Sequence, residues 1–99
     1  MTIRKILIIR FSSIGDIVLA TPVIRNLKTQ LPEAQIHFCT KREYLSILAE
    51  NAYIDKIHVF ENSLRDLIKS LKKEGFDLIV DLHRNLRTLL IKLQLGVKS

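Results

Sequence analysis

The stretch Ile6-Leu7-Ile8-Ile9-Arg10-Phe11-Ser12-Ser13-Ile14-Gly15-Asp16 decides the reading of this chain. Four consecutive branched apolar residues read as a strand buried on both faces, the mark of a parallel sheet. The run empties into two hydroxyls, a glycine and a carboxylate just as a helical pattern begins. In an open α/β sheet, ligands sit beyond the carboxyl ends of the strands. The chemistry of the chain is therefore expected at this turn.

Working outward, residues 3–10 form the first predicted strand. Ile17, Ala20, Ile24, Leu27 and Leu31 then recur at helical spacing over residues 16–31. Pro22 falls inside that pattern. Either the helix bends there, or a short first turn gives way to a helix capped by Thr21 with Pro22 in its first position. Leu31-Pro32 ends it. Residues 35–40 read as the second strand, and Thr40 with Glu43 has the spacing of a capping box, predicting a helix to about Glu50. Residues 56–60 are the third strand. Asn62 or Ser63 caps a helix carrying Leu64, Leu67, Ile68 and Leu71, which Gly75 stops. Residues 77–81 are the fourth strand. A polar break at His83, Arg84 and Asn85 precedes a last helical stripe of Leu86, Leu89, Leu90 and Leu93.

Strand and helix thus alternate four times with short connections, predicting a Rossmann-like α/β parallel sheet with helices on both faces and right-handed crossovers. Strand order 3-2-1-4 is favoured over a flavodoxin-type order. It sets the loops at residues 12–16 and 82–85 across one crevice. The pattern breaks off where such a sheet takes another strand, so the 99 residues read as one small domain or part of something longer.

Composition narrows the function classes. Apolar residues make up 47% and charged residues 26%, as in a soluble globular protein and unlike a disordered one. Sixteen Lys and Arg against ten Asp and Glu give a formal charge of +6, which favours anionic partners: phosphorylated substrates, acidic glycolipid or a membrane face. With no Trp and no basic-aromatic interleaving, nucleic acid is the weakest of the anions. Lys69, Lys72 and Lys73 make a solvated helix face or, alternatively, a membrane-surface contact. The lone Cys39 has no partner for an intrachain disulfide and reads as a buried thiol in a reducing, cytoplasmic setting. Ile6 to Ile9 is too short for a signal core or a membrane span, so a soluble chain is expected.

Two familiar phosphate motifs fail. A dinucleotide fingerprint needs three spaced glycines and an acid after the second strand; here Gly15 stands alone and Thr40-Lys41-Arg42 follows that strand. A P-loop lacks its second glycine and its Lys-Ser/Thr pair. What remains is Asp16 at a helix start. The helix macrodipole favours an acid there, and it would keep the carboxylate ionised, as a general base acting on a hydroxyl requires. Ser12 and Ser13 can cap the helix or bind a ligand. His83 follows strand four at the same edge, beside Asp81, Arg84 and Asn85. Arg84, Arg87 and Arg10 could grip a phosphate or carboxylate, while Asn85 serves equally as a helix cap. His37 and His58 lie inside strands and read as packing residues. No Cys/His cluster or closely spaced acids predict a metal site.

The segment from Lys5 through Arg10-Phe11-Ser12-Ser13-Ile14-Gly15-Asp16 to Thr21-Pro22-Val23-Ile24 resembles the amino-terminal signature of glycosyltransferase family 9, the lipopolysaccharide heptosyltransferases. Asp81-Leu82-His83-Arg84-Asn85-Leu86-Arg87-Thr88 resembles the family's stretch after strand four, less specifically. The resemblance implies a GT-B enzyme of two Rossmann-like domains. Residues 1–99 would be its incomplete amino-terminal, acceptor-side domain, without the donor-binding carboxyl-terminal domain. It implies inverting transfer of a heptose from an ADP-sugar to an acidic lipid A–inner-core acceptor, with no cofactor and no metal. It further implies Asp16 as the general base, with Ser12, Ser13, Gly15, Lys41, His83, Arg84, Asn85 and Arg87 toward the substrate. Cytoplasmic placement, with peripheral contact at the inner membrane, would follow. Family members are much longer, so the chain alone is expected to be inactive. A stand-alone flavodoxin-like binding module and a basic membrane-surface protein are the competing readings.

Overall fold

In the computed structural model, which describes residues 3–97, strand β1 (Lys5–Ile9) runs through the middle of the molecule with Ile6, Leu7, Ile8 and Ile9 fully buried. Around it, in chain order, stand α1 (Ile14–Leu19), α2 (Thr21–Gln30), β2 (Gln35–Lys41), α3 (Leu45–Ala49), β3 (Lys56–Phe60), α4 (Leu64–Lys72), β4 (Leu78–Asp81) and α5 (Leu86–Leu95). The strands form one parallel sheet in the order β3-β2-β1-β4, the order expected from the alternation. Ile6 aligns with Ile36 and Leu78, and Ile9 with Cys39 and Asp81.

Alternate side chains of a strand face opposite ways, and β1 divides the interior accordingly. Ile6 and Ile8 join Ile36, Phe38, Ile17, Ile24 and Leu48 beneath α1, α2 and α3. Leu7 and Ile9 join Phe11, Cys39, Leu67, Leu71, Phe76, Ile79 and Ile91 beneath α4 and α5. Each fully buried Ile or Leu removes enough surface from water to contribute about 1.5–3 kcal/mol. Cys39 is buried as expected, and burial pushes its thiol up to about 12.

Several local expectations are corrected. Pro22 does not bend one helix: α1 ends at Leu19 and α2 begins at Thr21, so Ala20 is the cap and Pro22 the second helical residue. The Thr21 hydroxyl instead donates to the Val18 carbonyl at 2.8 Å, closing α1. The capping box at Thr40 does not form. Thr40 is fully buried in β2 and aligned with Val59, so strand pairing claims a residue whose branched side chain suits a strand. A 3₁₀ turn at Arg42–Tyr44 follows, and α3 is only five residues long. Asp77 precedes β4; its carboxylate accepts the Arg4 and Lys5 N–H groups at 2.8 and 3.0 Å.

Of the two caps offered for α4, Ser63 serves, accepting the Asp66 N–H at 3.3 Å. Gly75 adopts φ +71° just beyond, and Gly96 ends α5 at φ +64°. The leucine stripe of α5 also turns out differently. Among the described side chains of α5, Thr88 and Ile91 are buried, while Leu89, Leu90 and Leu93 are exposed; the side chain of Leu86 lies outside the described ones. Among the described residues, no helix is long and apolar enough to cross a membrane.

This division of faces is testable by substitution. Phe38→Ala is expected to destabilise the chain by about 3–5 kcal/mol, as for a large core aromatic. Leu93→Ala, at a site 67% exposed, is expected to stay within about 0.5 kcal/mol of wild type. Urea unfolding measures both, and comparable losses would reject the assignment of α5's faces.

Candidate functional site

The turn after β1 is built around one carboxylate. Ser13 stands extended before α1, and its N–H and hydroxyl donate to Asp16 Oδ2 at 3.3 and 3.0 Å. Arg10 supplies the third partner, with Nη2 at 2.6 Å from the same oxygen. Its other terminal nitrogen, Nη1, donates to the Leu82 carbonyl at 2.6 Å, just beyond β4. One guanidinium therefore joins the two loops expected to share a crevice. The Arg10 ion pair, with the Ser13 N–H and hydroxyl, holds the Asp16 carboxyl below its ordinary value, and the group remains 47% exposed. Asp16 is thus ionised and accessible at the carboxyl edge of the sheet.

The facing loop is held by Asp81 at the end of β4. Its Oδ1 accepts the N–H groups of His83 and Arg84 at 3.0 and 2.8 Å, and its Oδ2 lies 3.2 Å from Lys92 Nζ. Burial pushes the Asp81 carboxyl up. The Arg84 N–H, Thr88, Lys92 and the His83 N–H outweigh that, and the group lies below its ordinary value. Arg84 itself takes φ +55°, a left-handed conformation that the Asp81 bonds stabilise. His83 Nδ1 accepts the Phe11 N–H at 3.3 Å, so its proton sits on Nε2. Burial, then the charges of Arg10 and Arg87, lowers the His83 pKa, leaving a neutral imidazole.

Beside these loops, Lys41, Arg42, Glu43, Phe60, Glu61 and Arg87 line an open depression of about 400 Å³. Arg42 is paired with Glu61. Arg87 lies over two aromatic rings, 5.5 Å from the centre of Phe11 and 5.4 Å from that of Phe60, a cation–π arrangement that braces the guanidinium at the rim.

The expected site residues therefore fall into groups. Ser13, Asp16 and His83 are drawn together through Arg10 and Phe11, while Lys41 and Arg87 share the adjoining depression. Arg84 is exposed on its strained turn. Asn85 is taken up as the cap of α5, its Oδ1 accepting the Thr88 N–H at 3.0 Å. Ser12 is half-buried. Gly15 is exposed, and a Cβ there would meet nothing within 4 Å, so the chain itself does not require glycine.

Three organising residues were missed in these roles. Arg10 was read as a ligand grip rather than as Asp16's partner. Phe11 was not singled out, although it carries both His83 and Arg87. Asp81 was named only as a neighbour. An Asp at a strand end followed by a polar turn is a known turn signal and could have flagged it; nothing in the spacing marks the Arg10–Asp16 pair.

Compared with known proteins, the chain matches no family model. Over 78 residues it is 32% identical to lipopolysaccharide heptosyltransferase 3 of Escherichia coli (strain K12), an alignment covering 69% of this chain and 23% of that protein. Its fold matches that of a glycosyl transferase family 9 structure from Veillonella parvula DSM 2008 with a TM-score of 0.88, at 22% identity, over 98% of this chain and 31% of that one. The match to E. coli ADP-heptose lps heptosyltransferase II has a TM-score of 0.83 at 24% identity, over 94% and 28% of the two chains.

The class defined by this fold is the Rossmann-like α/β half-domain of glycosyltransferase family 9 structures. Within that fold the chain is similar in sequence to a lipopolysaccharide heptosyltransferase, and it spans about a quarter of that relative's length.

The Asp16 environment predicts its titration. By ¹³C NMR the Asp16 carboxyl is expected to titrate below the ordinary 3.8, and Arg10→Gln should move its midpoint upward. A wild-type midpoint at or above 3.8, unchanged in the variant, would show that the pair does not persist in solution.

Proposed function

We propose that this chain is the amino-terminal, acceptor-side domain of an inverting heptosyltransferase and that Asp16 is its general base. The observation carrying this reading is the ionised, accessible Asp16 carboxylate at the β1/β4 edge, near a depression that presents Lys41 and Arg87. That edge is the switch point of the 3-2-1-4 order, where open α/β sheets bind ligands. The chain's likeness to a lipopolysaccharide heptosyltransferase supports the same reading.

In the proposed reaction the Asp16 carboxylate takes the proton of an acceptor sugar hydroxyl. The freed oxygen pair forms a bond to the anomeric carbon of an ADP-sugar. The bond from that carbon to the phosphate oxygen breaks, and ADP leaves with the electron pair. The ADP-sugar would be held by a carboxyl-terminal domain of the longer protein. Neither a metal nor a cofactor has a part in these steps. Arg10 keeps the carboxylate aimed and charged before the proton arrives. Lys41, Arg84 and Arg87 would hold acidic or phosphate groups of a lipid A–inner-core acceptor, with Ser12, Ser13 and Gly15 lining the approach to Asp16. His83, neutral with its proton on Nε2, offers a donor to a sugar oxygen. Action at the cytoplasmic face of the inner membrane suits an acceptor of that kind.

The longer protein carrying this segment should transfer heptose from ADP-heptose to an acidic glycolipid acceptor. Asp16→Asn is expected to lower kcat by about 10²–10⁴ while the protein stays folded, the usual worth of a general base. Near-normal turnover would reduce Asp16 to a helix-terminus acid.

The depression has its own signature in the same assay. Lys41→Ala and Arg87→Gln should each raise the acceptor KM by about tenfold or more, the worth of one charge-assisted hydrogen bond, with a smaller change in kcat. An unchanged KM in both would remove the depression from the acceptor site.

A further inference from the structure

A second constellation lies toward the amino-terminal ends of the strands, away from Asp16. The β2–β3 register aligns His37 with Lys56 and Cys39 with His58, making the two histidines diagonal neighbours on one sheet face. Both are buried, and His37 Nδ1 lies 2.9 Å from His58 Nε2. Glu74, beyond the end of α4, brings Oε2 to 3.9 Å from the same His58 nitrogen. One donor atom from each residue lies within 4.8 Å of the other two. The packing role expected of the histidines accounts for their burial but not for the convergence of their nitrogens on a carboxylate.

We propose that His37, His58 and Glu74 form a binding site for a divalent transition-metal ion of the zinc type. Two imidazole nitrogens and one carboxylate oxygen, leaving a fourth position for water, are a donor set zinc commonly takes. Ligand bonds of about 2.0–2.2 Å in a tetrahedron set donor atoms roughly 3.3 Å apart, and the observed 2.9 and 3.9 Å bracket that spacing. The third pair, His37 with Glu74, lies within 4.8 Å and closes to that spacing by side-chain movement of Glu74.

The surroundings complete the arrangement. His37 Nε2 lies 3.2 Å from Gln35 Oε1; with its proton there, Nδ1 turns a lone pair toward His58. Burial holds both imidazoles neutral, His58 with a pKa of about 4. The proton shared between the facing nitrogens then sits on His58 Nε2. When the ion takes that nitrogen, the proton passes through solvent to Nδ1 of the same ring, which stays neutral.

Glu74 is paired twice, Oε1 with Lys5 at 3.1 Å and Oε2 with Lys56 at 2.6 Å. Lys56 is 57% exposed and Glu74 only 16%, so the ion has to displace Lys56 from Oε2 and take over its charge there. Lys5 stays on Oε1 and orients the carboxylate for the ion. An open depression of about 570 Å³, lined in part by Lys5, Gln35 and Glu74, adjoins the carboxylate side of the cluster. The site would staple β2, β3 and the end of α4. It takes no part in transfer, so the proposal stands independently of the role given to Asp16.

Co²⁺ titrated into the chain tests this through its visible ligand-field bands, with Zn²⁺ as competitor. One equivalent of Co²⁺ should give a saturable tetrahedral spectrum that Zn²⁺ displaces. His37→Gln, His58→Gln and Glu74→Gln should each weaken binding by at least about tenfold, whereas His83→Gln should leave it intact. Far-UV circular dichroism checks the fold of each variant. If His58→Gln unfolds, the Glu74 variant, altered at the rim of the cluster, decides. Lack of a spectrum, a spectrum kept in both histidine variants, or a thiolate charge-transfer band from Cys39 would overturn the proposed ligand set.

Discussion

The burial of β1 on both faces is the constraint on which the rest of this structure depends. Its four apolar residues supply two separate cores, Ile6 and Ile8 to one and Leu7 and Ile9 to the other. Shifting its register by one residue would send every side chain to the wrong layer. The strand is therefore fixed in place, and so is the point at which it ends. Everything after Ile9 follows from this: a turn that cannot slide along the sheet, facing the turn that leaves β4 in the same parallel direction. The location of the candidate site is thus a consequence of packing, before any polar group is considered.

Charge then shapes the turn. A formal +6 suggests a broadly basic surface, and several of the cations near the sheet edges are engaged locally. Arg10 is committed to Asp16 and Leu82, Arg42 to Glu61, Lys92 to Asp81, and Lys5 and Lys56 to Glu74. Lys41 and Arg87 meet at the depression beside the candidate base, and Arg87 is braced by aromatic rings rather than by an acid. These two cations share the depression with Glu43 and with the Arg42–Glu61 pair. Arg10 has a different part, since a cation already paired inside the chain is poorly suited to gripping an outside phosphate. Its effect is to keep Asp16 charged and the two loops together.

The fold was largely legible because its signals were strong and mutually consistent. Four apolar strands, short connections and caps at Ser63 and Asn85 all pointed to one parallel sheet, and the strand order followed from the same pattern. Local sequence failed where tertiary pairing competed with it. Thr40 has the chemistry of a cap, but β2 pairing claimed it. The α5 leucines were counted as a stripe, but Thr88 and Ile91 face the sheet because Asn85 and Thr88 fix the start and rotation of that helix. In the candidate site, the reactive residue types were visible along the chain while their partners were not. Arg10 meets Leu82, and Phe11 meets His83, only after β1 and β4 have paired across more than seventy positions.

The two ends of the sheet carry different kinds of polar chemistry, and the difference has a physical origin. At the carboxyl ends the chain leaves through loops whose side chains remain accessible, so Asp16 is ionised and half open to water. Toward the amino-terminal ends, His37 and His58 are enclosed between the sheet, α4 and Phe76, where burial favours their neutral forms. An accessible carboxylate held charged is fitted to taking a proton from an incoming hydroxyl. Buried neutral imidazoles converging on a carboxylate are fitted to coordination instead, because a metal ion needs nitrogen lone pairs that are not protonated. One parallel sheet thus separates an accessible, charged edge from an enclosed, neutral histidine pair, with β1 between them.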